Sequence, residues 1–257
     1  MKRVFTMVLL STLAFVACNK QDAQNKTLER GTVSIECGAT TEVELTRASL
    51  TTEVQCRVPA SEEFSLKISG VSLDYVAEYA SVSEFEDTRL YKGSYVAEII
   101  SGDINDEGYD KPVFSGEQTF DILSRQHTDV SITATIANAL VKVETTETFK
   151  SYFPGGYSLT LTTELGNQFD VTSQSNYLFV APTSFVINGT ATKQVAQSGA
   201  EAVVVTLPEM RGENLAPRTI YTVRFDVSEA GSATLRITLN ETLVEERTFD
   251  NELNQYA

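Results

Sequence analysis

Short runs of strict alternation, apolar then polar, recur from residue 31 onward and constrain the fold more than any other feature. Val130, Ile132, Ala134 and Ile136 alternate with Ser131, Thr133 and Thr135. Tyr221, Val223, Phe225 and Val227 make the clearest run, and Leu235, Ile237 and Leu239 make the next. Phe64 to Ile68, Tyr95 to Ile99, Tyr157 to Leu161 and Val203 to Leu207 repeat the pattern. Thr32 to Ile35 opens the series, and Val244 with Phe249 closes it weakly. Successive strand side chains point to opposite faces, so each run buries one face and wets the other. A helix needs a period of 3.6 over a longer window. Only residues 78–91 offer a short candidate, weakened by Ser81, Ser83, Asp87 and Thr88. Short runs bounded by Gly, Pro, Asn or Asp predict an all-β chain of antiparallel sandwiches.

One position breaks the register. Ile132, Ala134 and Ile136 share one parity, whereas Ala139, Val141 and Val143 take the other, with Asn138 between them. A slip of one residue exchanges the buried and exposed faces. The break predicts a bulge or a domain boundary there. The expected organisation is two tandem β-sandwich domains, 31–137 and 138–257, after a signal peptide (1–17) and a tether (18–30).

The N-terminal segment speaks for the compartment. Lys2 and Arg3 precede an apolar stretch from Val4 to Val16, and the sequence Phe15-Val16-Ala17-Cys18 follows. A basic start, a short apolar core and small residues before a cut are secretory signal chemistry. The stretch is too short to cross a bilayer core of roughly 30 Å as a stable helix. A cut before a cysteine marks lipoprotein processing, with diacylglycerol on the Cys18 thiol. Phe15 departs from the usual Leu. The alternative is an ordinary secreted protein with an incidental cysteine. Several acyl chains on one residue anchor stably, so the expected partner is the outer membrane, on its periplasmic or outward side. Residues 19–26 are polar and aperiodic, as a tether should be.

Charge removes one class of partner. The chain carries −15 at neutral pH, and loss of Lys2 and Arg3 leaves it more negative by two. Nucleic acid needs a basic patch, so none is expected as a partner. An overall charge of this sign also repels anionic surfaces. Beyond Cys18 the cysteines are Cys37 and Cys56. Outside the cytosol two thiols most simply form a disulfide, worth roughly 3 kcal/mol for a loop of this length. Two buried free thiols are the alternative.

Catalytic chemistry is hard to assemble. The one histidine, His127, lies in a polar turn, Ser124-Arg-Gln-His-Thr-Asp. A lone His with two bonded cysteines cannot build a usual zinc site. No nucleophile elbow, Walker or dinucleotide fingerprint is present. Asp103, Asn105, Glu107 and Gly108 imitate the start of a calcium loop, but Phe114 stands where a bidentate Glu is required. A plain acidic turn is the simpler reading. The chain reads as non-enzymatic, with no metal and no cofactor. It has no Trp, which weakens a sugar platform, although its ten Tyr leave weak glycan binding open.

Several pieces, taken in order, carry a family likeness. They are Gly31-Thr-Val-Ser-Ile, Phe64-Ser-Leu-Lys-Ile, Leu90-Tyr-Lys-Gly-Ser-Tyr-Val-Ala, Asp110-Lys-Pro-Val-Phe-Ser-Gly, the stretch from Val130 to Val143, and Phe149-Lys-Ser-Tyr-Phe. Together they resemble the fimbrillin-like lipoproteins of gut and oral anaerobes. The closer resemblance is to an uncharacterised lipoprotein family sharing their transthyretin-like β-sandwiches. Val113-Phe114 departs from an aromatic pair in that pattern. The resemblance implies a structural or adhesive role at the cell surface, with other envelope proteins, host molecules or glycans as partners. It also implies an alternative, a pilus subunit cleaved after an Arg near the first strand and assembled by donor strands. Arg47-Ala48 is the candidate cut and Arg30-Gly31 the second. A Cys37–Cys56 bond would retain the cleaved strand and so count against that route. A third alternative is a glycan-binding lipoprotein of a polysaccharide-uptake system.

Overall fold

The computed structural model describes residues 29–45, 50–86, 88–173, 175–193, 202–228 and 234–248. Strands, numbered in chain order, fall into three sheets. The first runs β5 (Val76–Tyr79), β4 (Ser65–Gly70), β7 (Gly93–Ser101), β9 (Phe114–Ile122), β10 (His127–Ile136), β1 (Arg30–Ala39), β6 (Thr88–Tyr91). The second runs β20 (Thr242–Thr248), β19 (Thr234–Leu239), β18 (Thr219–Ser228), β11 (Ala139–Thr145), β14 (Leu178–Val180), β8 (Gly108–Tyr109). Beside β18 it also holds β2 (Glu42–Leu45), which pairs with β3 (Leu50–Glu53). The third runs β13 (Gln168–Asp170), β12 (Tyr157–Thr163), β15 (Phe185–Lys193), β16 (Val203–Thr206), with β17 (Met210–Gly212) also on β15. One α-helix is present among the described residues, α1 (Glu147–Tyr152).

Alternation places the cores. Leu66, Ile68, Tyr95, Ala97, Ile99, Ile132, Ala134 and Ile136 turn inward from the first sheet and build a first core. Leu159, Leu161, Phe185, Ile187, Val223, Phe225, Leu235 and Ile237 build a second between the other two sheets. Each such side chain contributes about 1.5–3 kcal/mol by leaving water. The middle sheet serves both. Leu140 of β11 and Phe179 of β14 enter the first core, while their neighbours Ala139, Val141, Leu178 and Val180 enter the second. The molecule is therefore layered sheet–core–sheet–core–sheet, and the two sandwiches share the middle layer.

Asn138 marks the handover. The parity change there arises because the chain leaves β10 in the first sheet and enters β11 in the second. Asn138 is fully buried. Its Oδ1 accepts from the backbone N–H of Val113 at 2.6 Å, and its carbonyl accepts from that of Arg218 at 2.7 Å. Strands also cross the 137/138 boundary, since β2, β3 and β8 lie in the second sheet. Glu107 ties the same junction. Its carboxylate accepts from Thr163 Oγ1 at 2.5 Å, Asn167 Nδ2 at 2.9 Å and the Ala181 N–H at 2.9 Å.

One expectation is corrected. Pairing is not all antiparallel, because β1–β10, β11–β18 and β2–β18 are parallel. Parallel neighbours require a long crossover, and most of the first sheet lies between β1 and β10. The described residues of 78–91 form no α-helix, in keeping with the polar residues that weakened that candidate. They hold the end of β5, a single 3-10 turn at Val82–Glu84 capped by Ser81 Oγ, and β6.

Candidate functional site

The first sheet gives one face to its core and the other to solvent. That outer face is concave over β5, β4, β7, β9 and β10, forming an open trough of about 900 Å³. Register builds its floor. Lys67 stands opposite Glu78 on one side and Glu98 on the other, and Glu98 stands opposite Glu117. The next row runs Ser65, Ile100, Ser115 and Thr135. Lys67 Nζ lies 3.9 Å from Glu78 Oε1. Glu98 and Glu117 are like charges placed directly across a ladder, an arrangement that costs stability. Three carboxylates against one ammonium make the trough acidic. It is suited to holding a polar ligand by many solvent-exposed contacts. Sequence reading missed it, because its rows join residues as far apart as Ser65 and Thr135. The outward parity of Lys67, Glu98 and Glu117 is the signal that was available.

The residues of the calcium-like loop go separate ways. Asp103 Oδ1 accepts from the backbone and side-chain nitrogens of Asn105 at 2.9 and 3.0 Å. Asp106 takes Lys111 Nζ at 2.5 Å. Glu107 points inward to the junction described above. A small hollow of about 240 Å³ beside this loop is lined by Arg57, Asp103, Asp106, Asp110 and Lys111 among others.

His127 sits on an exposed ladder. Its Nδ1 is 2.8 Å from Thr32 Oγ1 and its Nε2 is 3.0 Å from Asp129 Oδ1. Ser34 Oγ donates to the same carboxylate at 2.5 Å. That bond first, and the His127 contact second, hold Asp129 below the usual carboxylate range. The parallel register sets Thr32 beside His127 and Ser34 beside Asp129. The order imitates a hydroxyl–imidazole–carboxylate relay, yet it lies on an open strand face and does the work of cross-strand pairing.

Cys37 and Cys56 are free thiols in the structure, so the expected disulfide is not formed there. Cys37 Sγ is turned to the Ser61 carbonyl at 3.8 Å, while Cys56 lies near Asp110. Burial pushes both thiols up. Both should therefore alkylate more slowly in the native protein than an exposed cysteine at the same pH, and faster as pH rises. Iodoacetamide labelling followed by intact mass checks this. Denaturation without reductant should expose both to label, and absence of label would show that they are bonded.

Cys18, the signal peptide, Arg47 and Ala48 lie outside the described residues. The second candidate cut, Arg30-Gly31, lies inside β1, paired to Tyr91 and Leu90 of β6. The Arg30 guanidinium stacks 4.1 Å above the Tyr91 ring. Cleavage there requires that end of the sheet to open.

Fold and face together define a nearly all-β protein of three stacked sheets with one open, acidic sheet face. The chain belongs to the family described as Domain of unknown function (DUF4493), whose model matches residues 29–255. No curated protein matches the sequence. Among solved structures it is similar to the fimbrial anchor protein Mfa2 from Porphyromonas gingivalis. The identity there is 9%, over 85% of this chain and 100% of that one, with a TM-score of 0.40. It is also similar to a protein provisionally named as polysaccharide binding from Bacteroides thetaiotaomicron, at 12% identity over 87% and 99% of the two chains and a TM-score of 0.37. A third is a provisionally named cell adhesion protein from Bacteroides eggerthii, at 8% identity over 84% and 96%, with a TM-score of 0.38.

Proposed function

We propose that this chain is a non-enzymatic cell-envelope lipoprotein, held at the outer membrane through acyl groups on Cys18, that acts by surface recognition. The observation that carries the anchor is Phe15-Val16-Ala17-Cys18 at the end of a short apolar stretch with a basic start. The trough on the first sheet is the face offered for recognition. Among its lining residues the aromatic is Tyr79, which is half-buried and packed edge-on against Phe85 at 5.4 Å. That geometry offers no stacking platform and disfavours the glycan reading. Intact mass and N-terminal analysis of the protein from its native envelope test the proposal. A mature chain beginning at acylated Cys18 is expected. An unacylated chain, released with soluble proteins, would sink it.

A second reading is favoured by one observation. β1 is an interior strand, paired with β10 on one side and β6 on the other. A cut after Arg47 would leave β1 held by noncovalent contacts alone, since Cys37 is unbonded in the structure. Its departure would open a slot that another strand could fill. A mature N-terminus at Ala48, with polymers after treatment by an Arg-specific protease, would support pilus assembly over the anchored form.

A further inference from the structure

We infer that the end of the first sheet at which the chain enters from Cys18 is a docking surface for the lipid bilayer carrying that anchor. The inference rests on the lipoprotein reading and adds an orientation to it. Three turns meet there around the start of β1. The Lys92 N–H donates to the Glu29 carbonyl, the Arg125 N–H to the Arg30 carbonyl, and the Val71 N–H to the Ser94 carbonyl. Gly93 lies against the Leu73 side chain and Gly31 against the Leu123 carbonyl. These turns expose four large apolar side chains: Val71 (57%), Leu73 (37%), Tyr91 (44%) and Leu123 (47%).

Charge at this end differs from the rest of the chain. Arg30, Lys92 and Arg125 are exposed there, against Glu29, Asp74 and, at the end of β9, Asp121, so this end is close to neutral in a protein of net charge −15. Apolar tips with three cations among them, and without the acidic excess of the rest of the chain, suit a headgroup layer. The covalent geometry supplies the proximity. Residues 19–28 separate Cys18 from Glu29 and, whatever their path, span no more than about 40 Å. β10 then leads away from this end to Asn138, a strand of about 33 Å, and the second core lies beyond it.

The protein has no tryptophan, so a single introduced one reports its own site. Leu123→Trp marks the proposed surface, and Val204→Trp, exposed on β16 of the third sheet, is the control. Each full chain is acylated in cells and reconstituted into phosphatidylethanolamine–phosphatidylglycerol vesicles with brominated acyl chains. Leu123→Trp should be blue-shifted and quenched several-fold more than the control. Lys92→Glu and Arg125→Glu should each reduce the docked population about fivefold. Equal quenching of the two probes overturns the inference. The acyl mass is read separately. If it is missing, the anchor reading fails, and a chain starting at Cys18 with Cys37→Ser and Cys56→Ser, coupled to a maleimide lipid, puts the surface to the same two-probe comparison.

Discussion

Replacing Glu107 by alanine should lower the unfolding free energy by about 3–5 kcal/mol. Glu107 is 6% exposed, and its carboxylate serves three donors that come from elsewhere in the sequence: Thr163, Asn167 and the Ala181 backbone. Alanine would strand all three beside a new void. Solvent does not replace a partner lost at this depth, so each donor bears a desolvation penalty. The site also joins the β7–β9 connection to the second and third sheets, so the loss falls on the junction between cores. For a chain of this size each kcal/mol moves the melting temperature by about 2–4 °C. Urea titration and thermal melting followed by circular dichroism give both values. Glu107→Gln keeps one acceptor oxygen, and the Thr163 hydroxyl can turn to accept, so it should recover more than half of the loss. A loss below about 1 kcal/mol for alanine would show that the carboxylate does not hold the junction.

Phe149→Ala should cost a similar amount, about 3–5 kcal/mol. Its ring is fully buried in the second core, with centroids of Phe153, Tyr157 and Phe225 at 4.9, 5.1 and 6.0 Å. It is also the one buried residue of α1. A helix this short is not stable by itself. Thr146 caps it by accepting from the Phe149 N–H at 3.1 Å, and the ring then pins it to the core. Truncation should both open a cavity and release the helix. Limited proteolysis should therefore show new cleavage within 146–153 alongside the lower melting temperature. Phe149→Leu retains most of the volume and should cost below about 1.5 kcal/mol. If leucine proves as damaging as alanine, ring–ring geometry rather than burial sets the energy.

What could be read from sequence follows from which faces are buried. β10, β18 and β19 lie with alternating core and outward positions, so their period was visible. β14 was not. Leu178, Phe179 and Val180 are all buried because the middle sheet feeds two cores, which erases the alternation. β15 was concealed by Asn188-Gly189, a dipeptide with the chemistry of a hairpin turn that here lies within a nine-residue strand. Glycine is needed there because a Cβ would meet Leu159 Cδ2 at 2.6 Å and the Ser158 carbonyl at 2.7 Å. α1 is too short to display a helical period. The slip at Asn138 was legible as a change of parity, but its cause, a crossing from one sheet to the next, required the layers. The trough was illegible for a related reason. It is made by register, and register between distant strands is a tertiary fact. Glu107 was legible only as a carboxylate in an acidic turn, since its donors lie more than fifty residues away.

The parallel alignment of β1 with β10 also bears on how the molecule carries mechanical load. Eight residue pairs, from Thr32–His127 to Ala39–Ala134, join the two strands. If the chain is anchored through Cys18 as proposed, tension from the membrane enters at Arg30, the start of β1, and the part of a counter-load that passes through Asn138 acts at the end of β10. The two strands are then drawn past each other along their length. Their hydrogen bonds share the strain together instead of parting one after another from an end. A tethered protein loaded this way should unfold at much higher force than the same protein pulled across a hairpin such as β19–β20, where the bonds open in turn.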